Sequence, residues 1–451
     1  MGRTTDMTVG NPTKLILKFA IPLIITNLGQ QFYMIADASI VGRGVGVKAF
    51  ASVGATDWCY WLILWTITGL TQGFSTFTSR YFGDKNYIDT NKSIAMSAIL
   101  CAVIGSILTV LGLLTAKPLL LILNTPKDIL DGAVIYLSTM ISGTVIVAAY
   151  NMSASILRAF GDGKTPLIAM IISAFLNIGL DILFVFVFGI GIFGAALASV
   201  ISQLVSFIYC LIGISKIECV KLPKHIWKPD FKMIKSMTLF GMPVAIQHIV
   251  IALGGIILQS SINMQGSIFI AGYTATNKLY GMLESSSISL GLASSTFLAQ
   301  NYGAKNFDRF KKGVVASVKI VVGMAFFVSL SVLPIRKYLL QLFLNINEPG
   351  GPEALEVAIY YITIVLVCLV ILYLLHIFKY ALQAMGISVW SMVSGLSEFA
   401  VRVIMSKVII NIIGTNALFI AEPVSWLGAT LAVMLPYFYY RTKLLNNKDV
   451  N

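Results

Sequence analysis

Long, almost uncharged apolar runs recur along the whole chain, separated by short polar stretches. A run of about 20 apolar residues is long enough for an α-helix to cross a bilayer. Such runs can be marked at residues 15–40, 50–76, 93–116, 129–154, 166–188, 191–214, 236–262, 268–298, 314–334, 355–378, 388–413 and 418–440. The pattern predicts an all-α polytopic membrane protein with about twelve transmembrane helices and no soluble domain between them.

The composition supports this interpretation. Of the 451 residues, 57% are hydrophobic and 11% are charged, whereas a soluble domain carries about 25% charged residues. The first apolar run is longer than the apolar region of a signal peptide, and no small-residue cleavage pattern follows it, so we expect no cleaved leader. The five cysteines form no CxxC pair and the three histidines are scattered. We therefore expect buried free thiols rather than disulfides or a metal site.

The net charge of +13 does not indicate nucleic-acid binding, because its distribution follows the membrane topology. With twelve spans both termini lie on one side, and 23 of the 32 lysines and arginines lie on that side, against six on the other. The 23 include Lys379, which directly follows the tenth apolar run. An excess of basic residues marks cytoplasmic loops. The charge therefore predicts a multi-pass protein of the cell inner (plasma) membrane with both termini in the cytoplasm.

The two halves of the sequence share one plan. FGDKN at 82–86 recurs as YGAKN at 302–306, and LRAFG at 157–161 pairs with LQAMG at 382–386. Each half has six predicted spans, so both halves enter the membrane from the same side and form a parallel repeat.

The longest polar stretch between spans separates these halves. We expect an N-terminal six-helix lobe at 1–214, a cytoplasmic linker at 215–235 and a C-terminal six-helix lobe at 236–451. Such duplications are typical of secondary transporters, in which the substrate path lies between the repeats. A channel more often has a short selectivity motif and builds its pore from several subunits. A transporter is the better prediction.

Enzyme signatures are weak. RAFGDGKT at 158–165 ends like a phosphate-binding loop, but Arg158 stands where the first glycine should be and no strand precedes it. The sequence contains neither HExxH nor GxSxG. We predict that the protein is not an enzyme.

Four polar residues lie at matching depth within the apolar spans of the first half. Asp37 lies in the first span, Asn177 and Asp181 share one face of the fifth, and Ser199 enters the sixth at about the same depth. Carboxylates in lipid are costly and are functional candidates for that reason. Together these groups would suit a proton relay or a hard cation such as sodium. The alternative is that they are polar contacts that hold helices together.

Tyr33 and Gln30 precede Asp37 by one and two turns on the same face. They would line an aromatic, polar pocket for an amphipathic cation. The alternative is core packing.

The second half differs in chemistry. By an offset of 225, Asn177 corresponds to Arg402 and Asp181 to Ser406, so this position has lost its acid. Glu398 precedes Arg402 by four residues, a spacing at which the two charges neutralise each other. The ion chemistry is predicted to lie in the first half only.

These residues resemble the signature of a known family. The series P…Q…Y…D…VGRG…G…A from Pro22 to Ala49 is similar to the first helix of multidrug and toxic compound extrusion (MATE) transporters. GDGKTP followed by NIGLDILFVFVFGIGIFGAALAS resembles their fifth and sixth helices, and QNYGAKN at 300–306 resembles the end of the eighth. The resemblance covers nearly the whole chain in the expected order.

The resemblance implies a twelve-helix antiporter with two six-helix lobes that alternates between outward-open and inward-open states. Entry of H+ or Na+ would drive export of organic, mainly cationic amphipathic compounds. It also implies roles for single residues. The amino-terminal cation site, which would hold the proton or Na+, is matched by Asp37, Asn177, Asp181 and Ser199, and more loosely by Asn151. The resemblance implies substrate contact for Tyr33. We predict that Gln30 and Asp37 also bind the substrate.

Members with a second-lobe site carry acids on the seventh and tenth helices, where this chain has Gln247, Gln259, His376 and Gln383. This difference favours the DinF-like branch. The alternative function is that of the flippases for lipid-linked oligosaccharides in the same superfamily, which have more helices and a strongly cationic central cavity. We expect no cofactor besides the coupling ion, and as partners small organic cations and the lipid bilayer. We expect a monomer that binds no nucleic acid.

Overall fold

The computed structural model describes residues 4–123, 125–344 and 346–446, and within them the side chains of residues 32–39, 42, 43, 47, 50, 58 and 444–446 lie outside the description. The described chain is helical and contains no β-strand. Its α-helices are α1 (Pro12–Gly44), α2 (Val47–Gly83), α3 (Tyr87–Ile122), α4 (Lys127–Ser142), α5 (Thr144–Ala159), α6 (Lys164–Asp181), α7 (Gly191–Ser215), α8 (Phe231–Asn263), α9 (Ser267–Gly303), α10 (Phe307–Gln341), α11 (Gly351–Ala384), α12 (Val389–Ile404), α13 (Ile410–Ile413) and α14 (Asn416–Asn446).

Each predicted span coincides with one long helix or with consecutive helical segments, and the all-α polytopic fold class is confirmed. The fourth span is the pair α4 and α5, which bends by 47°. By length and apolar composition alone, seven helices of the described residues could cross a membrane, or eight if the bent pair is one span.

Two spans contain a π-helical segment, which hydropathy does not predict. The fifth span continues from α6 into a π segment at Ile182–Val187. The eleventh continues from α12 into a π segment at Met405–Ile409 and then into α13. With the offset of 225 that pairs Asp181 with Ser406, the two π segments occupy corresponding places in the halves. Such distortions of an α-helix are frequent at functional sites.

The repeat is also visible in the backbone. Lys85 (φ +57°) and Lys305 (φ +54°) are the two described non-glycine residues with positive φ, and they occupy the same place in FGDKN and YGAKN. The next residue, Asn86 or Asn306, caps the following helix by accepting a hydrogen bond from the backbone amide three residues on, at 3.1 Å in both cases. A left-handed L-residue costs about 1–2 kcal/mol. The same strained turn at both places supports a duplicated unit.

The first of two compact units comprises the segment ending at Met7 and Ile21–Ala245. One hydrophobic cluster of this unit is built from α2, α3, α5, α6, α7 and the first half of α8, and it buries Phe74 completely. Within this unit α2 and α8 touch at two glycines, because a Cβ on Gly73 would lie 2.7 Å from the Cα of Gly241.

The second compact unit comprises Thr8–Ala20 and the chain from Ile246 onward. Here α11 packs against α9, α10 and α14. The ring of Tyr361 on α11 stacks on that of Tyr273 on α9 with 4.3 Å between centroids, and both rings are buried. These units differ from the predicted lobes at two places. Thr8–Ala20, which includes the start of α1, belongs to the second unit, and the part of α8 up to Ala245 belongs to the first. The lobes 1–214 and 236–451, as repeat units joined by the linker 215–235, stay a prediction.

The GDGKT segment forms a helix cap. Asp162 Oδ1 accepts hydrogen bonds from the backbone amides of Lys164 and Thr165, both at 3.0 Å, and Oδ2 accepts from the Thr165 hydroxyl at 2.5 Å. Gly161 has φ +74°, and a Cβ there would lie 2.7 Å from the carbonyl oxygen of Thr5. The residues that resemble a phosphate-binding loop are therefore used to begin α6.

Candidate functional site

Two of the predicted site residues are fully buried at the C-terminal end of α6. Asn177 and Asp181 have no exposed side-chain surface. Asp181 is the last residue of α6, and the π segment follows directly. They lie in the apolar sequence SAFLNIGLDILFVF, which leaves a four-residue spacing, one helical turn, between the two polar side chains.

Asn177 joins Asp181 to the neighbouring helix. In the amide orientation that satisfies both of its polar atoms, Nδ2 donates to Asp181 Oδ2 at 2.8 Å. The amide oxygen accepts from the backbone N–H of Ser199 at 3.2 Å and from its hydroxyl at 3.3 Å. Ser199 is on α7 and is also buried. The structure therefore brings together three of the predicted cation-site residues.

The seam between α6 and α7 carries other hydrogen bonds as well. The Ser173 hydroxyl donates to the carbonyl of Ser202 at 3.0 Å, and the Ser206 hydroxyl donates to the carbonyl of Ala169 at 3.1 Å. These bonds join a side chain to a neighbouring backbone and contain no ionisable group. The carboxylate of Asp181 distinguishes the seam at the C-terminal end of α6 from these contacts.

Helix α1 runs along α6 past this network. A Cβ on Gly29 would lie 2.6 Å from Met170 Cε, and a Cβ on Gly44 would lie 2.5 Å from Val185 Cγ1. In each pair the two residues are 141 positions apart, and Val185 lies in the π segment that continues α6. Helix α1 and the fifth span therefore keep one register. Position 37 of α1 is therefore level with position 178, between Asn177 and Asp181. The side chains of Asp37 and Tyr33 lie outside the described residues.

Two further predicted residues, Gln30 and Asn151, have no hydrogen bond described to the network of Asn177, Asp181 and Ser199. Gln30 is half-buried on α1, next to the contact between Gly29 and Met170. Asn151 is half-buried on α5, and its Nδ2 donates to the carbonyl of Val147 on the same helix at 2.9 Å. That hydrogen bond does not join Asn151 to the network around Asn177.

The second unit contains a buried group of charged residues. Arg402 Nη2 lies 3.4 Å from Glu398 Oε2 and 2.8 Å from Glu422 Oε2, and Arg402 Nη1 donates to the carbonyl of Ile251 at 3.0 Å. The predicted pairing of Glu398 with Arg402 is confirmed. Glu422 on α14 was not singled out from sequence, although an acid inside the last apolar span was the available signal.

The count of basic residues placed Lys379 in a loop on the side of the termini. The structure places it in a helix instead. It belongs to α11 and its residue is 6% exposed, with Nζ 5.1 Å from the ring centre of Tyr380. His376 lies one turn earlier on the same helix and is equally buried. The loop placement was wrong because the apolar run ends at residue 378, whereas α11 continues to Ala384.

Among the described residues, no group of three or more His, Cys, Asp or Glu side chains could hold a metal ion.

Comparison with known proteins agrees with the fold and the repeat. The family model MatE matches residues 22–183 and again 243–409. The chain is 28% identical over 302 residues to "Probable multidrug resistance protein YoeA" of Bacillus subtilis, a match that covers 65% of each protein. It is 24% identical over 430 residues to "Multidrug export protein MepA" of Staphylococcus aureus, covering 94% of this chain and 93% of that protein.

Solved structures are similar over almost the full length. The crystal structure of "MATE in the bent conformation" aligns with a TM-score of 0.90 and 20% identity, covering 98% of this chain and 99% of the other. The "outward-facing conformation of a multidrug resistance MATE family transporter" aligns with a TM-score of 0.89 at the same coverage and identity. At this identity the likeness establishes the fold. Since the family model matches most of the sequence in two repeated segments, the chain belongs to the MatE family of membrane transporters, the MATE proteins.

Proposed function

We propose that this protein is a cation-coupled antiporter that exports organic, mainly cationic amphipathic compounds by alternating access. The observation that carries the proposal is the buried network of Asn177, Asp181 and Ser199, with position 37 of α1 at the same level. The names of the relatives YoeA and MepA, which refer to multidrug resistance and multidrug export, support the substrate class.

The coupling follows from the cost of burying a charge. While the site is open to water, an ionised Asp37 or Asp181 is hydrated and attracts an organic cation. When the site closes, an uncompensated carboxylate loses that hydration, and closure is disfavoured unless a proton or a coordinated sodium ion neutralises it. The substrate and the driving ion therefore compete for the same negative charge, and the empty charged site is the form least able to change conformation.

Each residue has a specific task in this mechanism. Asp37 and Asp181 supply the charge for H+ or Na+, while Asn177 and Ser199 orient Asp181 and would offer oxygen ligands to a sodium ion. Asn151 extends this site on α5. Tyr33 and Gln30, with Asp37, contact the substrate along α1.

The orientation and surroundings are part of the same proposal. Both termini face the cytoplasm, the plasma membrane holds the protein, and it acts as a monomer in the DinF-like branch. Gln247 and Gln383, which stand where other members have acids, are buried and donate to Ser394 at 3.3 Å and Ser391 at 2.9 Å. These pairs support a second half without the acids of the other branch.

The direct test is transport in proteoliposomes that carry a sodium gradient or a proton gradient, one at a time. We expect efflux of ethidium or a similar cationic dye with one of the two gradients and none without a gradient. If the protein is present in the membrane but transports none of a panel of cationic dyes under either the sodium or the proton gradient, the flippase function is the next candidate. That function is disfavoured here because Glu398 and Glu422 neutralise Arg402.

A further inference from the structure

The linker between the repeats, residues 215–235, is fixed to the first unit. Asn91 on α3, itself 6% exposed, holds the backbone of the linker from both sides. Its Nδ2 donates to the carbonyl of Cys219 at 3.0 Å and its Oδ1 accepts from the amide of Lys221 at 3.0 Å. The linker is therefore clamped and is not a free tether.

Apolar side chains anchor the inner side of the linker. Ile217, Ile226 and Met233 are 9% exposed or less and belong to the hydrophobic cluster of the first unit. Pro223 has extended backbone geometry, and Lys228, which precedes Pro229, is extended too, as a residue before proline prefers to be. The inward side of the segment is thus occupied by apolar groups.

The outer side of the linker is cationic and aromatic. Every lysine of the segment is exposed: Lys216, Lys221, Lys224, Lys228, Lys232 and Lys235. Trp227 is 42% and Phe231 is 79% exposed between these lysines. Asp230, one of the two acids in the segment, lies 3.8 Å from Lys92 Nζ and accepts from the amide of Met233 at 3.0 Å. Asp230 is therefore engaged within the first unit, and the other acid, the exposed Glu218, offsets one of the six outward-facing lysine charges.

We propose that this outer face of the linker binds the headgroups of anionic phospholipids at the membrane surface beside α7 and α8. The linker joins two spanning helices and is clamped to α3, so it stays close to the headgroup region. Lysines close to a spanning helix are attracted to anionic lipid, and tryptophan prefers the interface. The competing explanation for these lysines is that they only keep the loop on one side of the membrane, and that task requires positive charge without a fixed arrangement of the side chains. The clamp by Asn91, which holds lysines and aromatic rings on one outward face, is what distinguishes a binding surface.

The test counts lipids bound to the purified protein. Native mass spectrometry of the protein in detergent, titrated with phosphatidylglycerol or phosphatidylcholine, should give preferential binding of phosphatidylglycerol. The variant carries Lys221→Gln, Lys224→Gln, Lys228→Gln and Lys232→Gln. The control carries Lys14→Gln, Lys305→Gln, Lys312→Gln and Lys319→Gln, which remove the same charge from exposed sites outside the linker.

We expect the linker variant to bind phosphatidylglycerol at least tenfold more weakly, because it lacks four lysines that attract anionic lipid. The control should keep most of its binding, and phosphatidylcholine should be unaffected in both. Unchanged phosphatidylglycerol binding in the linker variant, or an equal loss in the control, would overturn the proposal. So would binding of inorganic phosphate with the same lysine dependence and no preference for phosphatidylglycerol. Melting temperatures of both variants test whether each is folded. The lipid-binding assay needs no ion gradient, so its result does not depend on the transport proposal.

Discussion

The amide of Asn177 donates a 2.8 Å hydrogen bond to the carboxylate of Asp181 across one turn of α6. Both side chains are fully buried, and the same amide reaches Ser199 on α7. A carboxylate in such surroundings is stabilised by its donors, and each donor that is removed leaves a buried polar group less satisfied. Asn177 is therefore the residue through which the α6–α7 seam orients Asp181.

Asn177→Ala should impair coupled transport more than it impairs folding. The change removes the donor to Asp181 and should lower stability by about 1–3 kcal/mol. Gradient-driven dye efflux, normalised to folded protein in the membrane, is the measurement. The matched control is Ser173→Ala, which removes a hydrogen bond from the same seam without touching Asp181. Equal transport by the two variants would mean that Asn177 only holds the helices together.

Arg402→Met should destabilise the protein severely. The change leaves Glu398 and Glu422 buried without the cation that lies 3.4 Å and 2.8 Å from them, and breaking such a group by removing one partner costs about 3–5 kcal/mol. Thermal unfolding in detergent measures the effect. The triple change Glu398→Gln, Arg402→Met and Glu422→Gln should recover most of the loss because no uncompensated charge remains. A single variant as stable as the unchanged protein would contradict this role.

Cysteine labelling tests the orientation of the chain. A cysteine placed at Lys48 should react with an impermeant maleimide in intact cells, and one placed at Lys224 should be protected until the membrane is opened. Both positions are exposed. Burial raises the pKa of the native Cys219 thiol in the linker, so less of it is thiolate at neutral pH and it should label slowly. Labelling at Lys224 but not at Lys48 in intact cells would reverse the proposed topology.

The helical spans could be predicted from sequence because the bilayer sets their length, and each of the twelve apolar runs coincides with one long helix or with consecutive helical segments. The pairing of Glu398 with Arg402 was predictable because it lies within one helix. Glu422 reaches Arg402 from α14, and sequence spacing carries no information about contacts between distant helices. Lys379 was misplaced for a related reason, since burial of a residue near a helix end is decided by neighbouring helices.

The π segments after Asp181 and around Ser406 were not predictable either. The first segment is wholly apolar and the second contains Ser406 and Lys407, and hydropathy does not distinguish an α-helix from a π-helix. The grouping of Asn177, Asp181 and Ser199 was predicted by helical spacing and depth. Its role in ion coupling stays a prediction.

The central claim is that the carboxylates of the first half couple the ion gradient to export. The most direct measurement is dye efflux from proteoliposomes containing Asp37→Asn or Asp181→Asn protein under an imposed sodium or proton gradient. Each change removes the charge and keeps the side-chain shape, so we expect both variants to fold and insert but to lose gradient-driven efflux. Wild-type efflux rates from both variants under the same gradient would contradict the claim.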